Sequence, residues 1–441
     1  MKKIALSLTA AASLSFGMSN EELVKELELL KSQMQEMKKS QESIVDEIAA
    51  DTFFDGEEYD SFSSMGGAAS KVYYSKDALS IGGYGEYTFK KYNDFAKYED
   101  GTSDATRKKS EFNILRFVPY IGFKFNDWIV MNTEIEFEDG GARSDGEKNY
   151  KYAIVEFSYL DFLIDKSFVL RIGHVLTPMG LINLNHEPVS FLSADRPAVE
   201  SFIIPSTWHA NGILAHGQID NVEYYAGIIT SPDAGGFVEG RFIQQGKTGA
   251  RVFSDDLSFV TRISYDAFDG LNVGGSFLYG TASVAEESRP QITTGLSSNA
   301  SMNITMAELH ATYKKEGWNI QALAAYGKLG GDLEELRTDL AEEISESVNG
   351  QYLNVGYNIM PYVAKSSHAL YAFAEIERID MDASDDTTYS GNHRFLEYSG
   401  GVSYFPDPKV VVKAEYKTRD YDSEATYKDE NSINLALGFI F

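Results

Sequence analysis

The sequence of 441 residues contains no cysteine and only 10 prolines. A chain without thiols suits export into an oxidising compartment, where stray cysteines would form unwanted disulfides, although many cytosolic proteins also lack them. The few prolines stand beside 27 tyrosines, 27 phenylalanines and 37 glycines. That composition favours many β-strands with tight corners over helices.

Basic residues are also scarce, since 39 Lys and Arg face 66 Asp and Glu and give a net charge of −27. A protein that binds DNA or RNA needs a basic surface to neutralise phosphates, so a nucleic-acid partner is excluded. An acidic surface could bind lipopolysaccharide only if divalent cations bridged the negative charges of the two. Lipopolysaccharide is therefore a hypothetical partner.

Long hydrophobic runs are missing too: no segment has about 18 consecutive apolar residues, so no transmembrane helix is predicted. The first residues instead have the pattern of a signal peptide, with Lys2 and Lys3, an apolar run over 4–16 and the small-x-small sequence Ser15-Phe16-Gly17. We predict a signal peptide over 1–17, with a short buried helix as the alternative. Any membrane crossing must then be made by β-strands.

Apolar residues recur at alternating steps of four and three within the segment 18–50. This heptad pattern predicts a coiled-coil helix, and because so thin a helix has no core of its own, it also predicts self-association. A single amphipathic helix lying on the protein is the alternative. The following segment, 51–77, is acidic and then rich in Ser and Gly, which predicts a linker.

From residue 78 to the end, polar and apolar residues alternate with period two, as in Ile129, Met131 and Ile135 against Asn132 and Glu134. Most candidate strands have about the 9 to 11 residues that a tilted strand needs to cross a bilayer. Long polar connections alternate with tight turns, an asymmetry that a membrane barrel with two different rims requires and a soluble sandwich does not. We predict an all-β, sixteen-stranded transmembrane antiparallel β-barrel over 78–441. The candidate strands are 79–91, 112–125, 128–138, 150–162, 168–175, 210–218, 221–230, 257–266, 270–281, 302–314, 317–328, 350–361, 367–380, 393–405, 408–420 and 431–441.

The signal peptide, heptad helix, sixteen strands and final aromatic residue together resemble a trimeric porin of the bacterial outer membrane, and their order is similar to the phosphate-selective porin O/P superfamily. The resemblance implies a Gram-negative outer membrane with its lipids, a homotrimer, a periplasmic N-terminal helix and no cofactor. It also implies that Phe441, which ends an alternating strand, is a recognition signal for the assembly machinery. The structural alternative is a barrel tethered to peptidoglycan that conducts little.

The segment 176–208 is too long for an ordinary hairpin connection and contains four prolines. Its motifs, beginning with Gly173-His174-Val-Leu-Thr-Pro-Met-Gly180, resemble the porin loop that folds into the pore and narrows it. An exposed surface loop is the alternative. The candidate residues of the constriction are Arg171, His174, His186, Glu187, Asp195, Arg196 and Glu200, and those of the facing wall are Arg116, Glu134, Glu136 and Arg262.

The inward positions assigned by alternation carry nearly balanced numbers of basic and acidic residues. A phosphate pathway would need a run of unopposed Arg and Lys, since phosphate is bound by charge-assisted donors. The sequence therefore favours passive diffusion of small hydrophilic solutes or ions through a pore of mixed charge. An anion- or phosphate-selective porin remains the alternative.

Catalytic and metal motifs are missing from the sequence. His186-Glu187 is followed by Pro188, so it does not begin a helical zinc motif, and the seven histidines have no metal-ligand spacing. A barrel enzyme would need a histidine on its outer wall, for which His310 and His368 are the nearest candidates. We predict that the protein is not an enzyme and binds no metal.

Overall fold

The computed structural model describes residues 60–92, 110–141, 143–144, 149–150, 153–247, 254–284, 298–388, 390–425, 427 and 429–441, together with Lys25, Glu28, Lys31 and Ser32. The chain divides into two compact units, Met1–Asp55 and Gly56–Phe441. Those four N-terminal residues are helical and exposed. The predicted signal peptide and nearly all of the predicted coiled coil lie outside the described residues.

Sixteen antiparallel strands form a closed barrel in which each strand pairs with its neighbours in the sequence and the first strand pairs with the last. The prediction of a sixteen-stranded barrel is confirmed. The strands are β1 (Leu79–Tyr92), β2 (Glu111–Asn126), β3 (Ile129–Glu138), β4 (Ile154–Asp165), β5 (Phe168–Leu176), β6 (His209–Ile219), β7 (Val222–Thr230), β8 (Leu257–Phe268), β9 (Leu271–Ser283), β10 (Ser301–Lys315), β11 (Trp318–Gly331), β12 (Ser347–Asn358), β13 (Ala369–Asp380), β14 (Arg394–Asp407), β15 (Val410–Tyr421) and β16 (Glu430–Ile440).

Alternation along each strand separates an apolar outer face from a polar inner face. Leu309 is 73% exposed on the outside, whereas its neighbours Glu308 and His310 are buried inside. Exposed aromatic rings lie near both rims, with Trp128 and Trp318 at one and Phe112 at the other. An apolar band flanked by aromatic residues is the surface that a bilayer requires.

Successive connections alternate between two rims, which we call the long-loop rim and the short-turn rim. Most connections at the short-turn rim have two residues, such as 127–128 and 166–167. One exception corrects the predicted strict alternation of lengths: the connection 359–368 contains a short helix and is longer than the long-rim connection 422–429. Pro361 at the start of this helix ends the strand pattern early, because proline donates no ladder hydrogen bond.

Short helices occur in the connections. These are α1 (Gly67–Tyr74), α2 (Val199–Phe202), α3 (Leu333–Leu340) and α4 (Met360–Val363), with 3₁₀ turns at Asp139–Gly141, Ala234–Gly236, Gln244–Gly246 and Ser390–His393 and a pair of two-residue strands at Arg143–Ser144 and Asn149–Tyr150. None of the described helices is long and apolar enough to cross a membrane.

The predicted linker 51–77 is wrong for residues 60–77, which form a packed segment around α1 with buried residues between 65 and 73 and exposed ends. Ala68, Ala69 and Val72 are buried, and Val72 fills the space beside Gly122 on the inner wall. The segment around α1 contacts β1, β2 and β3 and makes hydrogen bonds as far as β7, through Glu223. We call residues 60–77 the plug. The Gly- and Ala-rich composition that indicates a linker here permits close packing against the wall instead.

Candidate channel lumen

Loop 177–208 folds into the barrel and binds the far wall through its own backbone. The Glu377 carboxylate of β13 accepts hydrogen bonds from the amides of Ala198 and Val199, both at 2.9 Å. On β15, Glu415 accepts from the amide of Ala194 at 2.8 Å, and Lys413 donates to the Ser193 carbonyl at 2.9 Å. Charged side chains of the wall therefore satisfy backbone N–H and C=O groups of the loop that a neighbouring strand would satisfy in a sheet.

Glu200 holds the two ends of the loop together. Its carboxylate accepts from the amides of Leu181 and Ile182, at 2.8 and 2.7 Å, and from the Tyr352 hydroxyl at 2.6 Å. Burial raises the pKa of Glu200 to about 7, although these donors favour the ionised form. Glu200 is thus an internal brace of the loop rather than a water-facing charge.

Asp195 lies at the water-accessible edge of the loop, with a side chain that is 27% exposed. Its carboxylate is 2.7 Å from the Lys90 ammonium on β1 and 3.8 Å from that of Lys417 on β15. Burial alone would raise the pKa of Asp195, but the two lysines outweigh it and hold that pKa at about 2. Asp195 therefore stays ionised over the physiological pH range and faces two cations across the lumen.

His186 and Arg196 lie where the loop meets β3 and β4. The His186 Nε2 atom is 3.1 Å from Glu134 and 3.8 Å from Glu156. Arg196 donates to the His186 carbonyl at 3.3 Å. The structure thus brings Glu134, His186 and Arg196 together.

Glu187 joins the loop to the plug. Its carboxylate accepts hydrogen bonds from the amides of Ala68 and Ala69, at 3.2 and 2.9 Å, in the first turn of α1. These amides have no partner within the helix, and a carboxylate is favoured there by the helix dipole as well. Glu187, predicted as a pore residue, is a buried anchor for α1.

Arg171 lies away from the loop, at the level of the plug. Its guanidinium forms two 2.8 Å hydrogen bonds with Asp161 of β4 and stacks 3.9 Å above the Tyr159 ring. The Tyr73 hydroxyl of α1 donates to the same Asp161 carboxylate at 2.5 Å. The structure does not bring Arg171 to the constriction. Arg171 and Asp161 instead form a part of the inner wall against which α1 packs.

His174 faces outward, which contradicts its prediction as a constriction residue. By register it shares the outer face of β5 with Ile172, but it is only 6% exposed, and its ring nitrogens lie 2.8 Å from the Asn211 side chain and 2.8 Å from the His209 ring. The motif contains Gly173 at φ +144°, and one residue of register decides which face receives the histidine. The result is a polar group on the outer wall.

The remaining wall candidates all face inward. Arg116 lies 3.2 Å from Glu86 and 3.6 Å from Glu136. Arg262 donates to the Gly180 carbonyl of the loop and approaches His310 at 3.2 Å. Arg116 and Arg262 therefore each meet an acceptor.

The two histidines that an enzyme would need both have ordinary partners. His310 lies inside the barrel, 3.0 Å from Glu308, and His368 is hydrogen-bonded to the Tyr404 hydroxyl at 2.7 Å in a short-turn connection. His310 therefore lies on the wrong face for a catalyst of the outer wall.

Phe441 closes the barrel. Its backbone exchanges hydrogen bonds of 2.9 and 3.0 Å with Gly83 of β1, and its ring stacks near Phe117 of β2. The terminal residue is thus part of the junction between the first and last strands.

Sequence reasoning missed two parts of the site. Lys90, Lys413, Lys417, Glu377 and Glu415 all occupy inward positions by alternation, yet nothing in a single sequence says which of many inward charges a loop will touch. The second is a three-residue cluster of Glu134, Glu156 and His186, whose ligand atoms lie within 4.8 Å of one another although the sequence spacing predicts no metal site. Cross-strand pairing of β3 with β4 brings the two glutamates together, and loop 177–208 adds the histidine.

Comparisons with known proteins agree with this architecture. The model of the outer membrane protein beta-barrel domain family matches residues 257–441. The chain is similar to the anion-selective porin from Comamonas acidovorans (TM-score 0.52, 10% identity, covering 82% of this chain and 99% of that one). It is also similar to the trimer form of OmpT, an outer membrane protein of Vibrio cholerae (TM-score 0.51, 12% identity, 83% and 100%). At these identities the likeness concerns the fold alone.

A closer similarity in sequence is to an uncharacterized protein of Aquifex aeolicus (strain VF5), which is 31% identical over 403 residues that cover 87% of this chain and 85% of that protein. The closed barrel, the apolar outer band and the domain match are those of an outer-membrane protein with a porin-like barrel. The chain belongs to the same family as the Aquifex protein.

Proposed function

We propose that the protein is a porin through which small hydrophilic solutes or ions diffuse passively, with loop 177–208 as the constriction. The observation that carries this proposal is the loop itself, which crosses the lumen and leaves a water-accessible edge at Asp195, Lys90 and Lys417. Many wall charges beneath it are buried, including Glu377, which is 1% exposed, so the path we propose is narrow.

The charge pattern favours a general pore over a phosphate-selective one of the porin O/P type. Lys417 lies 2.8 Å from Glu397, and Arg419 lies 2.7 Å from the same carboxylate. An anion pathway needs donors that are not already neutralised. The anion selectivity named for the Comamonas porin is a property of that protein, and we do not extend it to this chain.

A homotrimer is part of the proposal. The outer face of β3 to β6 carries a group of hydrogen-bonded polar side chains: Thr133 to Ser158 at 3.0 Å, and His174 to Asn211 and His209. Thr133 and Ser158 are half-buried and His174 is buried, so these groups leave only part of their polar surface to lipid, and a second copy of the chain would cover that part. We further propose export by the signal peptide 1–17 and a periplasmic coiled coil over 18–50.

Single-channel recording of the purified protein in planar bilayers tests this function. We expect conductance steps in groups of three with weak or cation-leaning selectivity, measured as the reversal potential in a salt gradient. Strong anion selectivity that phosphate blocks would favour the phosphate-porin alternative. If no steps occur and loaded liposomes do not leak, the barrel is a structural one, as a peptidoglycan tether would be.

Replacing Asp195 with Asn is expected to shift the reversal potential toward that of the anion. The change removes the carboxylate that faces Lys90 and Lys417 at the water-accessible edge and leaves two ammonium groups less opposed. Fixed charge at the narrow part of a pore sets its ion preference. The measurement is the reversal potential of the variant in the same salt gradient.

Asp269→Asn is the matched control, because it removes the same carboxylate from an exposed ion pair with Lys315 at the short-turn rim. We expect its reversal potential to equal that of the unmodified protein. Equal shifts in both variants would show that Asp195 does not line the conducting path.

A further inference from the structure

Two carboxylates and one imidazole converge in a buried position where loop 177–208 meets the wall. Glu134 comes from β3, Glu156 from β4 and His186 from the loop, and their side chains are 0%, 1% and 2% exposed. One ligand atom of each lies within 4.8 Å of the other two. Three separate elements therefore contribute to one closed polar site.

The hydrogen bond on the far side of the His186 ring orients it for metal binding. The Nδ1 atom is 3.1 Å from the carbonyl oxygen of Asn183, which can only accept, so Nδ1 carries the proton. In the neutral ring the lone pair of Nε2 then points at carboxylate oxygens that also carry only lone pairs. A positive charge has to lie between them, either a further proton or a metal ion.

The same position contains buried oxygens without hydrogen-bond partners. These include one oxygen each of Glu134, Glu136 and Glu156. The hydroxyl of Tyr120, the cross-strand partner of Glu134, and that of Tyr84, whose ring lies 5.8 Å from the His186 ring, are likewise unpartnered. Buried polar atoms are rarely left unsatisfied, and so many at one place indicate a ligand.

Arg196 and Lys247 lie close enough for their charges to act on the carboxylates of the cluster, but neither they nor Arg116 donates a hydrogen bond to Glu134 or Glu156. The contact of Arg116 with Glu86, at 3.2 Å, is shorter than its contact with Glu136. Arg196 donates to the His186 carbonyl, and Lys247 donates to the Ser206 carbonyl at 2.7 Å. The two carboxylates that face His186 therefore have no basic side chain as a direct hydrogen-bond donor, and they can share a proton or bind a cation.

We propose that Glu134, Glu156 and His186 bind a divalent transition-metal ion and that Zn²⁺ fits best. Ligand atoms of a tetrahedral zinc ion with bonds of about 2.0–2.1 Å are about 3.3–3.4 Å apart. The observed separations from Nε2 are 3.1 and 3.8 Å, and all three ligand atoms lie within 4.8 Å of one another, so the side chains need to move only slightly to reach that spacing. Calcium prefers six to eight oxygen ligands and is disfavoured by the imidazole. The ion ties the loop to β3 and β4.

Metal analysis of the purified full-length protein tests this inference without any measurement of transport. After chelator treatment and dialysis against Zn²⁺, we expect one zinc per chain by mass spectrometry. Zinc-edge X-ray absorption should show a nitrogen and oxygen shell at about 2.0 Å with the scattering of one imidazole. A wild-type protein that retains no stoichiometric zinc, or zinc without imidazole, would overturn the proposal even if the barrel conducts.

Variants locate the site. Glu156→Gln and His186→Gln are each expected to weaken zinc binding by more than about 100-fold, because even groups that only support a ligand contribute 10- to 100-fold. His310→Gln is the matched control, since His310 is also buried beside a glutamate, Glu308, but has no second carboxylate in contact. Unchanged binding in both site variants would mean adventitious zinc only. If the variants do not fold, the absorption spectrum of the wild type decides.

Discussion

Asp161→Asn is expected to lower the free energy of unfolding of the barrel by about 3–5 kcal/mol, the effect of removing one partner from a buried ion pair. Asp161 and Arg171 are both almost fully buried and share two 2.8 Å hydrogen bonds. The amide keeps the shape of the carboxylate but leaves the guanidinium charge unopposed in a closed environment. Reversible urea unfolding in lipid vesicles, followed by tryptophan fluorescence, measures the loss.

The double variant Asp161→Asn, Arg171→Met separates the charge effect from a packing effect. Because it removes both charges, it should recover part of the stability lost in the single variant. The exposed substitution Asp269→Asn should change the free energy of unfolding by no more than about 0.5 kcal/mol. A single variant as stable as the control would show that the pair does not hold this part of the barrel.

Replacing residues 61–75 of the plug with an equally long Gly-Ser segment is expected to raise single-channel conductance by about twofold or more, since ion flow grows with open cross-section. The plug lies inside the barrel against the wall formed by β1 to β7, at the short-turn end. Glu187→Gln should act in the same direction but more weakly, because it removes the charge from two hydrogen bonds to α1. Planar-bilayer recording measures both.

A Gly-Ser replacement of the connection 422–429 is the control for this experiment, since it alters a segment of the long-loop rim away from the plug. Its conductance should equal that of the unmodified protein. A folded barrel without the plug that conducts no better than the original would mean that the constriction by loop 177–208 alone limits the flow.

The barrel was predictable because alternation is a local property. From Leu79 onward, residues two positions apart lie on the same face of a strand, so the inner and outer faces can be assigned from the sequence. The strand ends followed from turn residues, with errors of three to four residues at β4 and β12. The plug was not predictable, because its small residues gain their burial from Gly122 and Glu187, which lie far away in the sequence.

The contacts that inward-facing charges make across the lumen were also not predictable from the sequence. Inward-facing charges such as Glu377 and Lys417 can be assigned by parity, but their partners depend on how the irregular loop crosses the barrel. His174 obeys parity, since it lies with Ile172 on the face opposite Arg171, and its prediction as a constriction residue came from the resemblance of its motif and not from alternation. The residues that such a loop brings together in a binding site can be identified only from the three-dimensional structure.

The pairing of Gly83 with Phe441 places the barrel seam between the first and last strands, more than 350 residues apart in the chain. This junction cannot form before β16 is available, and its long separation in the sequence makes it entropically costly to close. The plug, in contrast, immediately precedes β1 and makes its hydrogen bonds to β2 through β7. The plug can therefore pack against β1 to β7 before the barrel closes. It then does not have to enter a barrel that is already closed.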